Sequence, residues 1–261
     1  MTAHTLEVSG VSKQFGGQTV LEDVSASIDA TERVAIIGPS GAGKTTFLRL
    51  IAGAIEPDAG SITLNGEPIR RGEVAVAYQG DALVRSRTAL QNVSAGELGA
   101  NSWWEGLLDP IFRPGSQKAH EALAAVGLED HKHERVDELS AGERGRVAVA
   151  RALVQSGKAL LADEPTANLD RTTQEQVLDV LEATAEGGLY LVVLHDVSIA
   201  KERFDRILGF RKGELRMDSP AAAVSESELK SLFQARTADS GSGTHTSAAA
   251  NTTQTPPPWY V

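Results

Sequence analysis

Gly38-Pro39-Ser40-Gly41-Ala42-Gly43-Lys44-Thr45 sets glycines, a lysine and a hydroxyl at the spacing of a phosphate-binding loop. Glycines let the backbone curl around a polyanion with its N–H groups inward, and a helix N-terminus behind them adds partial positive charge. In such a loop Lys44 reaches the β- and γ-phosphates of a nucleotide, and the Thr45 hydroxyl ligates Mg²⁺. Thr46 follows in the same helix start and is grouped with the nucleotide-binding residues. A second chemical group is Asp163-Glu164, adjacent carboxylates closing the apolar run Ala159-Leu160-Leu161-Ala162. Neighbours on a strand point to opposite sides, so the pair can divide its work. Asp163 is expected to hold Mg²⁺ through its waters, and Glu164 to take a proton from an attacking water. Two isolated acids at a strand end would simply be solvated; a phosphate loop in the same chain is what gives them a task.

The elements that must position these groups follow from pattern. Arg33 to Ile37 reads as a buried strand before the loop, and Leu48, Ile51, Ala52 and Ile55 recur at helical spacing after it. Lys158 to Ala162 and Leu189 to Leu194 are further apolar strands, separated by an amphipathic helix over 172–185 with Val177, Leu178, Leu181 and Ala185 inward. Three strands thus end at Gly38, Asp163 and His195, and in an open parallel sheet ligands bind beyond the carboxyl ends of strands. Leu6, Val8, Val20, Val24 and Ile28 alternate with polar residues, as antiparallel strands do. Ser61 to Leu64 runs into Asn65-Gly66, a tight-turn dipeptide. The predicted class is α/β, a mostly parallel phosphate-loop NTPase core with an antiparallel β layer. From about Thr88 to Ala152 the pattern is mainly helical and includes a Gly- and Trp-containing insertion over 96–115. Beyond residue 237 the chain is rich in Ser, Thr, Ala and Pro and is expected to be a disordered tail, with a docking peptide as the other use of such a segment.

Composition narrows the classes. The chain has 261 residues, 41% hydrophobic and 23% charged, with a net charge of −10, so no nucleic-acid partner is expected. There is no cysteine, which removes disulfide and thiolate-metal chemistry. Met1 to Glu7 lacks a basic region and an apolar core, so no signal peptide is expected, and no apolar run approaches the ~20 residues of a bilayer span.

Leu139-Ser140-Ala141-Gly142-Glu143 is locally a helix start, with Ser140 as cap and Glu143 as its capping-box partner. Here the sequence also resembles the ATP-binding cassette (ABC) ATPases, whose signature reads Leu-Ser-Gly-Gly-Gln at this place. The resemblance spans about residues 5 to 235. It implies ATP and Mg²⁺ as cofactors and a cassette over 5–236 with an α-helical subdomain at about 80–156, leaving 237–261 as the tail. It further implies that Phe15 stacks on adenine, that Gln79 links Mg²⁺ to the helical subdomain, that Asn168-Leu169-Asp170 is the D-loop, and that His195 contacts the γ-phosphate. Two such cassettes pack head to tail, with Ser140 and Gly142 of one facing the nucleotide on the other's phosphate loop. A helix N-terminus with free N–H groups suits that task.

Two residues depart from the signature. Ala141 replaces a glycine. Glu143 replaces glutamine, and a carboxylate at about 6 Å from a phosphate costs of order 2–3 kcal/mol at an effective dielectric of about 20. Glu143 is therefore expected either to fold back as the capping-box partner or to pair with a nearby arginine. Finer resemblance, through Asn92 to Gly99, Leu161 to Pro165, Leu194 to Ala200 and Phe204 to Gly209, is to ATP-binding subunits of phosphonate importers. It implies ATP-driven uptake of phosphonate or a related phosphorus oxyanion at the cytoplasmic face of the cell membrane. The implied partners are a second copy, a permease and an extracytoplasmic solute-binding protein. The alternatives are a non-transport ABC ATPase, such as a phosphonate-cleavage accessory subunit, and an importer of another small solute. Trp103 and Trp104 either line the groove for the permease or cover the helical core.

Overall fold

The computed structural model describes residues 5–70, 72–78, 83–98, 116–155, 157–185 and 188–234. Gln79, Trp103, Trp104 and the tail from 237 lie outside them. The chain opens with β1 (Thr5–Phe15) and β2 (Gln18–Asp29), followed by β3 (Arg33–Ile37) and α1 (Lys44–Ile51). β4 (Ala59–Leu64), β5 (Glu67–Pro68) and β6 (Val74–Ala77) lead to α2 (Ala89–Ala95), α3 (Gln117–Ala125) and α4 (Ala141–Leu153). The rest is β7 (Ala159–Asp163), α5 (Arg171–Thr184), β8 (Leu189–Val193), α6 (Val197–Arg203), β9 (Arg206–Arg211), β10 (Glu214–Pro220) and α7 (Glu226–Phe233).

Two sheets form. A four-stranded antiparallel sheet runs β2-β1-β4-β5, and a six-stranded sheet runs β10-β9-β3-β8-β7-β6, parallel except for the β9–β10 hairpin. β3, β7 and β8 are buried along nearly their whole length, as strands covered on both faces must be. Their alternation divides the interior. Ala35, Ile37, Leu160 and Val192 join the helical side, whereas Val34, Ile36, Leu161 and Leu191 join α1 and the antiparallel sheet. In the second core Phe47 of α1 packs on Phe210 of β9, ring centroids 4.9 Å apart, a contact worth about 0.5–1.5 kcal/mol beyond its buried area. The Asn65-Gly66 turn joins β4 to β5.

The helices start where short polar side chains cap them. Thr88 and Gln91 form a capping box on α2, Ser116 accepts from Ala119 N on α3, and Asp170 accepts from Thr173 N on α5. Buried Asn92 ties α2 to the preceding loop, accepting from Val84 N at 2.8 Å and donating to Val84 O and Thr88 O. Helix α1 is shorter than its apolar spacing predicts. It ends at Ile51, because Gly53 turns left-handed at φ 65° and Ala54 N donates back to Arg49 O, so Ile55 packs on the core from outside the helix. Among the described residues no helix is long and apolar enough to cross a membrane.

Candidate nucleotide site

β3 lies between β8 and β9 in the large sheet, so the loop after it emerges at the sheet's centre. Two glycines shape this loop. Gly38 has φ 150°, and a Cβ there would sit 2.1 Å from Phe210 O. Gly43 caps α1 at φ 100°, with Leu21 Cδ2 and Val20 O at 2.6 and 2.9 Å from the position of a Cβ. Neither position admits a side chain, so the loop passes closer to its neighbours than any other residue allows. Lys44 is buried and curls back over the loop, donating from Nζ to Gly38 O at 2.8 Å and Pro39 O at 3.0 Å. Burial lowers its pKa, with the Glu164 and Asp163 carboxylates acting in the opposite sense.

β7 ends on Asp163, paired across to Val193 of β8. Asp163 is 4% exposed; the Thr45 hydroxyl donates to it, yet its Oδ1 has no hydrogen-bond partner among the described residues. Burial raises its pKa, and the Thr45 hydrogen bond opposes the rise. A buried carboxylate oxygen without a donor is what a divalent cation would complete, and the Thr45 hydroxyl bonded to the same carboxylate is a second hard oxygen. The residues present therefore fit Mg²⁺.

Strand alternation does not by itself separate the two acids, contrary to the sequence reading. Glu164 lies past the strand end in a left-handed conformation, φ 52°, a costly geometry for a residue with a Cβ. That turn carries its side chain to His195, whose Nε2 is 2.6 Å from Glu164 Oε1. Glu164 N donates to Val193 O at 3.2 Å and Ala167 N to Glu164 O at 3.1 Å, so the turn is tied to the end of β8 and closed by its own backbone.

At α4 the capping box forms: Ser140 N donates to Glu143 Oε2 at 2.8 Å, and Glu143 N to Ser140 Oγ at 3.3 Å. Of the two fates expected for Glu143, the fold adopts the cap rather than an arginine pair. Hydrogen bonds from Ser140 hold the Glu143 pKa below the usual carboxylate range, aided by His131 and Arg146. Gly142 permits close packing, since a Cβ there would lie 3.0 Å from Leu169 Cδ2 and 3.3 Å from Asn168 O. The signature helix thus rests on the segment 168–170 of its own chain, which Gln174 Nε2 braces through Thr166 O and Leu169 O.

Gly38 to Thr46, Asp163, Glu164 and His195 converge at the carboxyl ends of β3, β7 and β8. Phe15 stands apart at the tip of the β1–β2 hairpin, 37% exposed, with Lys13 Nζ 5.5 Å from its ring centroid. Ser140 and Gly142 lie at the N-terminus of α4, on the helical side. A cavity of about 270 Å³ runs between α4 and the two carboxylates, lined also by Tyr78, Arg85 and Arg144. Tyr78 and Arg85 were not anticipated, because neither sits in a spacing pattern; only Tyr78's place beside Gln79 hinted at it. Arg151 of α4, which acts electrostatically on Tyr78, is buried, and this brings its pKa down to about 10; the pKa of Tyr78 is raised by its own burial.

Comparison with known proteins bears on this arrangement. The family described as ABC transporter matches residues 21–167. The phosphonates import ATP-binding protein PhnC 1 of Natronomonas pharaonis is 40% identical over 230 residues, 87% of this chain and 99% of the relative. PhnC 1 of Ruegeria sp. is 37% identical over 241 residues, 87% of this chain and 94% of that protein. Among solved structures, the dimeric bacterial ABC transporter cassette MJ0796 is 27% identical with a TM-score of 0.72, over 84% of this chain and all of that one. The same cassette in a post-hydrolysis state bound to ADP and Pi matches with a TM-score of 0.70 at 27% identity, over 84% of this chain and 100% of that one.

Proposed function

The chain belongs to the ABC transporter family of ATP-binding cassettes, and from that premise we propose that it powers uptake of phosphonate or a related phosphorus oxyanion through a separate permease. The observation that carries the ATPase reading is the convergence of Lys44, Asp163 and the Glu164–His195 pair at the ends of adjacent parallel strands. The cargo rests on relatives named as phosphonate import proteins that align over 87% of this chain.

In this reading Gly38 to Thr46 wrap the phosphates. Lys44 exchanges its two carbonyl acceptors for phosphate oxygens, which costs little because Nζ is already desolvated and aimed into the loop. Thr45, Asp163 and Gln79 would hold Mg²⁺, which would supply positive charge to offset that of the phosphates. Glu164 is the general base, and His195, hydrogen-bonded to it, fixes its carboxylate and contacts the γ-phosphate. Phe15 offers an exposed ring to adenine. Ser140 and Gly142 meet the nucleotide on a second copy, so ATP joins two protomers and hydrolysis releases them. The cassette works at the cytoplasmic face of the membrane, with a solute-binding protein delivering cargo from outside.

Replacing Glu164 by Gln in the cell of origin tests both levels. ATP turnover falls to about a hundredth of the parent's or less, while ATP-bound dimers accumulate. Growth on a phosphonate as sole phosphorus source stops and growth on phosphate continues. Undiminished turnover would refute the assigned base, and continued phosphonate growth would refute the cargo.

A further inference from the structure

His131 stands between two carboxylates. Its Nδ1 is 3.0 Å from Glu134 Oε1, and its Nε2 is 3.9 Å from Glu143 Oε1. The ring is carried on a pinned loop: His131 N donates to Leu128 O at 3.2 Å, Glu134 N donates to His131 O at 3.0 Å, and Leu90 N of α2 donates to Lys132 O at 3.0 Å. Glu143 Oε2 is committed to Ser140 N, which leaves Oε1 as the oxygen toward His131. The neighbouring segments carry other charged groups, Arg135 on Asp137 and Arg144 on Leu139 O among them. From α4, Arg146 acts on Glu143 while its Nη1 donates to Val126 O and Gly127 O. The loop itself adds Glu129, Asp130, Lys132 and His133, and α2 contributes no titratable side chain.

We infer that His131 is a positioning residue for the two-copy nucleotide site: it holds Glu143 back on its own helix start and, when protonated, balances the carboxylate there. This rests on the reading that Ser140 and Gly142 face the partner copy's triphosphate. The Nε2–Oε1 separation is too long for a hydrogen bond, so the pair attracts only while the ring carries its second proton. Without that second proton the Glu143 charge stands less balanced toward the polyanion, and ATP-driven assembly weakens. A glutamine at position 143 would need no such partner; the histidine matters because this chain carries the acid.

The test measures the ATP concentration for half-maximal dimer formation by sedimentation, using the full chain carrying Glu164→Gln, between about pH 5.5 and 8.5. The parent is expected to weaken about two- to fivefold across this window, the scale of a partly exposed ion pair. His131→Gln should be weak throughout, Glu143→Gln tight throughout, and the double variant should match Glu143→Gln alone. His131→Lys should restore tight assembly and remove the pH step. His195 is present in every chain, so its contribution is common to all of them. An unchanged pH step in His131→Gln, additive effects of the two substitutions, or no rescue by lysine would overturn the inference. Failure of every chain, parent included, to dimerise with ATP would instead overturn the two-copy site beneath it.

Discussion

Asp163→Asn should make the nucleotide-free protein more stable while removing its response to Mg-ATP. Asp163 is 4% exposed, and among the described residues its Oδ1 has no donor, a condition that costs about 1–3 kcal/mol for a buried polar group. Asparagine is nearly the same size and keeps a carbonyl to accept the Thr45 hydroxyl. It also deletes a desolvated charge lying beside that of Glu164. Recovering of order 1 kcal/mol raises the melting temperature by about 2–4 °C in a chain of this size. The sign with pH follows from the pKa, which is raised in the folded state. Ionisation then destabilises the native form at neutral pH, and the penalty fades as pH falls toward the ordinary carboxyl range near 4. The gap between variant and parent should therefore widen from acid to neutral pH. Saturating nucleotide reverses the ranking, because ligand at one hundred times its dissociation constant adds about 2.7 kcal/mol to the parent alone. Calorimetric melting with and without Mg-ATP reads both effects. A nucleotide-free variant melting below the parent, or one that gains as much as the parent from Mg-ATP, would refute the assignment of Asp163 as a buried charge awaiting a cation.

Other perturbations separate scaffold from site. Gly38→Ala places a methyl group 2.1 Å from a backbone oxygen, so denaturant unfolding should show a loss of about 3 kcal/mol or more, and a loss below 1 would contradict the packing. Gly142→Ala meets only the end of Leu169 and one carbonyl at 3.3 Å. It should cost less than about 1 kcal/mol in stability yet sharply reduce ATP-dependent dimers, and a large stability loss would move its role into the fold. Phe15→Ala should leave unfolding unchanged and weaken ATP binding in calorimetry by about 1–3 kcal/mol, with unaltered affinity telling against adenine stacking.

The sequence made some of this legible and hid the rest for physical reasons. The phosphate loop, the three strand ends and the capping box at Ser140 and Glu143 depend on neighbours within a few residues, and periodicity exposes such neighbours. Glu164 did not follow that logic. Its left-handed turn is imposed by the hydrogen bond from its N–H to Val193 O, on a strand about thirty residues later. Arg33 shows the same limit at longer range. It grips Asp205 and Glu182, 172 and 149 residues away, and so braces β3 at the end opposite the loop. Nothing local marks it for that role. Tyr78 and Arg85 likewise reach the cavity through the fold rather than through any motif.

The chain contains no cysteine, so a single introduced pair reports geometry without background. In the Glu164→Gln protein carrying Ser40→Cys and Ala141→Cys, mild oxidation with ATP should give a band of twice the monomer mass, absent without nucleotide. Cross-links confined within one chain, or equal yields with and without ATP, would contradict a nucleotide gripped between the phosphate loop of one copy and the signature helix of the other.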